Sequence, residues 1–385
     1  MRLSCVQENL AKGLAAVGRA VATRSTLPVL SNVLLETDGG RLKLAATNLE
    51  IGVTCWVGAM VESEGSLTIP GKLLGDLVSS LSADRRINLA AKGNSLHVTV
   101  EGGGFDANLR GIPAEEFPVI PQVTGQPSWG ITPRELQEGL SQVAFAAATD
   151  DTRPILAGVQ FAFRGNNLHL AAADGFRLAV REVEVAQALG EDLDLVVPAR
   201  AVQELARILG DQEEPVEITI TPNRNQVLFH LNSIDLVSRL IEGTFPNVQQ
   251  IIPSRFATRV LLSTKEFGNA VKVASLIARD ANNIVKISID GERSRGPEGS
   301  PGSLIAAAQG DVGEIENEIG AVVEGEQAQL TIAFNGKFVQ DVLGAVTTSQ
   351  VSLEMNSPSS PGVLRPVGGP DLTHVIMPMH LTRKE

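Results

Sequence analysis

Tyrosine is missing from this chain altogether, and the aromatic share is only 4%. Its cores are therefore expected to be aliphatic, built from Val, Leu, Ile and Ala. Cysteine is scarce too: Cys5 and Cys55 are the only two in 385 residues. That excludes a disulfide-stapled scaffold and fits a reducing compartment, with both thiols expected as small buried side chains. No apolar run reaches the roughly 18 residues that a membrane span needs. Met1-Arg2-Leu3-Ser4-Cys5 lacks an apolar leader region. The expectation is a cytoplasmic protein with no membrane partner. The signatures of phosphate, dinucleotide and zinc sites are missing as well: no GxxxxGKS/T, GxGxxG, HExxH or CxxC occurs. The histidines His97, His169, His230, His374 and His380 are scattered, three of them in strand-like alternation where an outward-facing or satisfied ring is expected. Asp150-Asp151 with Arg153 reads as a capped turn, and Asp174-Gly175 as a turn. No catalytic residue, metal or cofactor is expected.

What is present is repetition. Leu27-Pro28-Val29-Leu30-Ser31-Asn32-Val33 returns as Arg153-Pro154-Ile155-Leu156-Ala157-Gly158-Val159. Ile69-Pro70-Gly71-Lys72-Leu73-Leu74-Gly75-Asp76-Leu77 returns as Val197-Pro198-Ala199-Arg200-Ala201-Val202-Gln203-Glu204-Leu205. Phe117-Pro118 returns as Phe245-Pro246, a spacing of 128 residues. A fainter third copy runs Ile332-Ala333-Phe334-Asn335-Gly336-Lys337-Phe338-Val339-Gln340-Asp341-Val342. The period is domain-sized, far beyond the 20–50 residues of a solenoid. Three domains follow: 1–122, 127–252 and 256–385, with linkers at 118–126 and 250–256.

Within a repeat the periodicity switches twice. Leu10, Leu14, Val17 and Val21 recur at helical spacing, predicting a helix over 8–22. Matching helices are predicted at 133–147 and 264–278. Hairpin alternation follows around Asp38-Gly39-Gly40 and Gly165-Asn166-Asn167. Second helices are predicted at 71–81, 199–209 and 336–346, then more hairpins. The fold class is α+β: three similar domains, each with two helices on one face of an antiparallel sheet. The stretch 291–303 reads as a surface loop.

Net charge is −12, which argues against nucleic acid when averaged over the whole chain. Counted over the six predicted helices and their flanks, however, charge is +5, leaving −17 elsewhere. Lys12, Arg19, Arg24, Arg200, Arg207 and Lys272 supply much of the excess. A basic helix face without base-reading motifs suits sequence-independent phosphate contact.

The whole chain resembles a known family, the bacterial DNA polymerase sliding clamp, the β subunit of DNA polymerase III. The motifs that carry the resemblance are Ser25-Thr26-Leu27-Pro28-Val29-Leu30, Ala173-Asp174-Gly175-Phe176-Arg177-Leu178-Ala179, Phe117-Pro118 and the ending Val375-Ile376-Met377-Pro378-Met379-His380-Leu381. The resemblance implies a DNA-clamp fold and a non-catalytic processivity factor. It implies a head-to-tail homodimeric ring around duplex DNA, helices lining the hole. Helices about 10 Å wide leave a hole of about 9 Å when six form a circle and about 28 Å when twelve do, so a duplex needs two subunits.

The implied partners are duplex DNA, the DNA polymerase III catalytic subunit, the clamp loader and other proteins with a clamp-binding motif. Their peptides would enter a groove between the second and third domains. The matching positions are Leu156, Asp174, Gly175, Phe176, Arg177, Leu178, Pro246, Asn335, Phe338, Val375, Ile376, Met377, Pro378, Met379 and Leu381. Arg177 is expected to offer its head to a peptide carbonyl or carboxylate. A Met- and Pro-rich apolar groove suits several partners. DNA contact would fall on Arg24, Arg153 and Arg200. At the dimer interface Phe105, exposed in a monomer, would insert near Leu276 and Ile277. The chain departs from the family at Pro154 and Ile155, where aromatic residues are frequent, and at Phe176, where His is frequent.

Two other readings stay open: a β-rich scaffold that never meets DNA, and a hydrolase using Asp150, Asp151 and His169. Helix-face charge separates the first, and turnover lost in Asp151→Ala the second.

Overall fold

The computed structural model describes residues 1–121, 127–150, 152–188, 191–210, 212–292, 302–325 and 327–380. Most of the predicted loop 291–303, part of the first linker, Asp151 and Leu381 lie outside the described residues. The helices among them are α1 (Gln7–Gly18), α2 (Gly71–Ser79), α3 (Pro133–Val143), α4 (Ala199–Ile208), α5 (Thr264–Ala278) and α6 (Gly336–Ala345). Each falls where apolar spacing placed one. α1 stops four residues before the predicted end, because Gly18 lowers helix propensity. Its cap, Arg19, closes the turn onto the Val17 carbonyl. α5 starts on Ser263, whose Oγ accepts from the Glu266 N–H at 3.3 Å.

The chain forms two compact units. One comprises Met1–Arg134, Val185–Glu191 and Glu204–Leu240; the other comprises Glu135–Glu184, Asp192–Gln203 and Ile241–Glu385. The first unit holds a five-stranded sheet in the order Met60–Ser63, Arg2–Val6, Arg86–Lys92, Ser95–Val100, Asp106–Arg110. It also holds a nine-stranded sheet in which Ile234–Arg239, from the second repeat, pairs antiparallel with Ile51–Val57, from the first. The second unit repeats the plan. Its nine-stranded sheet joins Arg177–Glu184 of the second repeat to Leu372–Ile376 of the third, with Leu178 opposite Val375. Its four-stranded sheet runs Gly313–Gly320, Ser303–Gly310, Ile284–Asp290, Gln329–Asn335.

The expected α+β architecture of helices on antiparallel sheet is present, and the sheets also cross repeat boundaries. Strands of neighbouring repeats share a ladder, and the second repeat is divided between the units. The reason is physical: a strand edge left open exposes unpaired N–H and C=O groups, and joining two edges satisfies both.

In the second unit α5 and α6 pack together, burying Phe267, Ala270, Val271, Ala274, Val339 and Val342. α5 also packs on Ile284–Asp290, Ser303–Gly310 and Gly313–Gly320. The largest fully buried side chains are Phe161, Phe163, Phe229, Phe267 and Phe334, set in cores that are otherwise aliphatic. Each such burial contributes about 1.5–3 kcal/mol. Cys5 and Cys55 are free and buried, and burial pushes their thiols up to about 12 and about 11, which keeps them protonated.

Candidate functional site

The seam of the second unit carries the site. Strand Asn167–Ala173 turns into Arg177–Glu184 through Asp174-Gly175-Phe176. Asp174 closes that turn: its Oδ1 accepts from the N–H groups of Phe176 and Arg177 at 2.9 and 3.0 Å. Gly175 has φ +92°, the left-handed region, and a Cβ there would stand 2.8 Å from the Arg153 guanidinium. Arg153 Nη2 donates to the Asp174 carbonyl at 2.8 Å. Arg153 is itself exposed, and this bond ties one of its guanidinium donors to the turn.

The expectation for Arg177 is corrected. Its Nε donates to Asp174 Oδ2 at 3.0 Å, Nη1 to Asp341 Oδ2 at 2.6 Å and Nη2 to the Phe145 carbonyl at 2.7 Å. The guanidinium lies over the Phe338 ring at 4.4 Å and the Phe145 ring at 5.4 Å. With its side chain 10% exposed and these donors engaged, its head is committed inside the protein and not to a peptide.

Beyond Leu372–Ile376 the chain continues alongside the turn. Met377 N–H donates to the Phe176 carbonyl at 2.8 Å, and Met379 N–H to the Ala333 carbonyl at 2.8 Å. Phe176 is 62% exposed and Met377 41%. Pro246 is exposed beside the buried Phe245. Leu156, Leu178 and Val375 are buried in one apolar cluster with Phe245, Val196 and Val363, while Ile376 belongs to the main core. Asn335 caps α6, its Oδ1 accepting from Lys337 N–H at 3.0 Å. Pro378 and Met379 are half-buried. Phe176 and Met377 are thus exposed side by side, and Pro246 is exposed next to Phe245 of the buried cluster.

Two residues of this region escaped sequence reasoning. Phe145 follows α3, and His374 lies in the last strand. Their rings stack at 5.6 Å with 29° between planes. His374 is fully buried, and neither ring nitrogen has a hydrogen-bond partner among the described residues. Burial, with Arg177 adding to it, pushes its pKa down to about 3. His97, His169 and His230 face Asp106, Glu182 and Asp235, in keeping with the outward or satisfied rings expected of three histidines, whereas His374 is buried. The only signal was a polar residue inside Leu372-Thr373-His374-Val375-Ile376.

The charge count changes with the true helix bounds. α1 gains Glu8 and loses Arg19 and Arg24, and α5 loses Arg279. Net charge becomes 0 for α1, α2 and α6, −1 for α3, and +1 each for α4 and α5, so the helices carry +1 instead of +5. Lys12 pairs with Glu8 at 2.8 Å. Glu204 receives Arg207 at 2.8 Å and Arg19 at 3.7 Å. Arg24, Arg200 and Lys272 are exposed and have no ion-pair partner among the described residues.

Phe105 is half-buried rather than exposed and sits just before Asp106–Arg110, an edge strand. Leu276 is 61% exposed on α5, and Ile277 packs against the core. Asp150 Oδ1 accepts from Thr152 N–H at 3.0 Å and from its hydroxyl, and the Thr152 bonds hold that carboxyl below its usual range. Among the described residues no group of three or more His, Cys, Asp or Glu could hold a metal, and no helix is long and apolar enough to cross a membrane.

Three family models match in succession. The DNA polymerase III beta subunit N-terminal domain matches residues 1–121, the central domain 130–247 and the C-terminal domain 249–380. The beta sliding clamp of Synechocystis is 36% identical over 99% of this chain and 100% of that protein. That of Synechococcus elongatus is 35% identical at the same coverage. The sliding clamp of Bacillus subtilis superimposes with a TM-score of 0.88 at 25% identity, covering 99% of each chain. The Pseudomonas aeruginosa clamp bound to griselimycin gives 0.88 at 27%, covering 99% of this chain and 100% of that one. These relatives are named as clamps or polymerase subunits, not as enzymes.

Proposed function

Since the chain belongs to the family of DNA polymerase III beta subunits, the bacterial sliding clamps, we propose that it encircles duplex DNA as a head-to-tail homodimer. It tethers the polymerase catalytic subunit, the clamp loader and other partners through the groove above, and acts in the cytoplasm. The observation that carries this reading is the domain-sized triplication, matched end to end by three clamp domains. Domain boundaries at 1–122, 127–252 and 256–385 belong to the same proposal.

The charge pattern supports topological rather than tight binding. Arg24, Arg200 and Lys272 are the strongest candidates for phosphate contact. Lys12, Arg19 and Arg207 have acidic neighbours that offset part of their charge. Few free cations mean few released counterions, hence weak, salt-sensitive affinity for an open duplex. For the dimer, the edge strands Asp106–Arg110 and Gly313–Gly320 leave backbone groups that a second copy can pair. Phe105 then meets Leu276 and Ile277 of the partner subunit.

The groove accepts peptides with Leu or Phe side chains laid on Phe176, Met377 and Pro246. Both Phe176 and Met377 are exposed, so truncating them spares the fold. In Phe176→Ala with Met377→Ala, a short labelled peptide carrying Leu and Phe, chosen because the unaltered chain binds it, should bind about tenfold or more weakly. Sedimentation should still report the unaltered mass. Unchanged affinity would move the groove elsewhere.

A further inference from the structure

We propose that Phe145 and His374 are positioning residues for the peptide groove: with Phe338 and Arg177 they form one stack that fixes the Asp174–Leu178 turn. The inference rests on the groove reading above. The stack runs Phe338, Arg177, Phe145, His374, with successive separations of 4.4, 5.4 and 5.6 Å. It draws on four separate segments: α6, the strand Arg177–Glu184, the turn after α3, and the strand Leu372–Ile376. Those segments carry the exposed surface. Phe176 precedes Arg177, Met377 follows His374 by three residues, and the two are joined by the Met377 N–H to Phe176 carbonyl bond at 2.8 Å.

Hydrogen bonds lock one member and leave another to shape alone. Arg177 bonds to Asp174, to Asp341 and to the Phe145 carbonyl, so it ties the turn to α6 and to the end of α3 at once. The Arg177 cation lies over both the Phe338 and the Phe145 ring, where the negative ring faces attract it. Among the described residues neither nitrogen of His374 finds a hydrogen-bond partner, although both are buried. Leaving a buried donor or acceptor unmet costs about 1–3 kcal/mol, so stability alone gives no reason for a histidine here. What the ring supplies is a flat face against Phe145. Its rung partner on Arg177–Glu184 is the small Ala179, which cannot supply that face. A binding surface loses affinity when its supporting side chains are loose, even if every contacting residue is kept.

The test uses the full-length chain and the labelled peptide just described. Phe145→Leu and His374→Leu keep apolar volume but remove the planar stack. Both should weaken peptide binding about tenfold at a temperature well below their unfolding transitions, with dimer mass unchanged. His374→Phe restores a flat ring and should bind within about twofold of the unaltered chain. A general loss of stability would not discriminate Phe from Leu at position 374. The proposal is overturned if either Leu variant, folded, binds as the unaltered chain does. It is equally overturned if His374→Phe loses as much affinity as His374→Leu. The groove reading fails separately, through an unchanged Phe176→Ala with Met377→Ala variant.

Discussion

His374 ties the stability of the fold to pH. Its folded pKa, about 3, lies below the ordinary 6.5 because burial disfavours the imidazolium and the Arg177 cation repels it. Between those values the unfolded chain binds more protons than the folded one. Stability from the neutral ring is therefore complete above about pH 6.5 and is lost as pH falls toward 3. At pH 5 the loss is about 2 kcal/mol. Denaturant titrations from pH 7 to 5 should show that decline, and His374→Phe should remove most of it. An equal decline in the variant would assign the acid sensitivity to other groups. At this scale the sequence was a partial guide. The Asp174-Gly175 turn was legible as a turn, and the structure closes it through Asp174 Oδ1. The sequence could not reveal that one Arg153 donor and the Arg177 head are already engaged, because Asp341, Phe145 and the Asp174 carbonyl are brought to them only by the fold.

Turns and strands show the repeat at work. The turn at Asn48 copies the one at Asp174: Asn48 Oδ1 accepts from Glu50 and Ile51 N–H at 3.0 and 2.8 Å. Where the second copy has Gly175, the first has Leu49, exposed and at φ 76°. A branched side chain is strained there. Leu49→Gly should stabilise the chain by up to about 1 kcal/mol, since relieved strain exceeds the entropy Gly adds to the unfolded state. A lower urea midpoint would mean Leu49 makes contacts that outweigh the strain. Helices were legible because apolar spacing and caps are local, as at Ser263 and Asn335. The shared ladders were not. Leu178 pairs with Val375, and Leu236 with Val53, and no short-range pattern specifies partners so distant in sequence.

For the molecule as a whole, charge and closure decide function. Helices carrying only +1 give few counterions to release, so the proposed account assigns retention on a duplex to ring closure. In the proposed ring the exposed Leu276 lies in the interface between the two subunits. Placing a carboxylate there buries an unpaired charge against the partner. Leu276→Asp should sediment as a monomer with an otherwise unchanged fold, and an unaltered dimer mass would remove Leu276 from the interface. The triplication made three domains visible from sequence, while the misjudged ends of α1 and α5 inflated the helix charge.

The most direct measurement is retention on DNA of different topology. The chain is loaded by its clamp loader onto closed circular duplex and passed through gel filtration at raised salt, before and after the circle is cut once. The expected result is co-elution with the circle and release after the cut. Equal retention on cut and closed DNA, or no retention on either, would contradict the encircling ring.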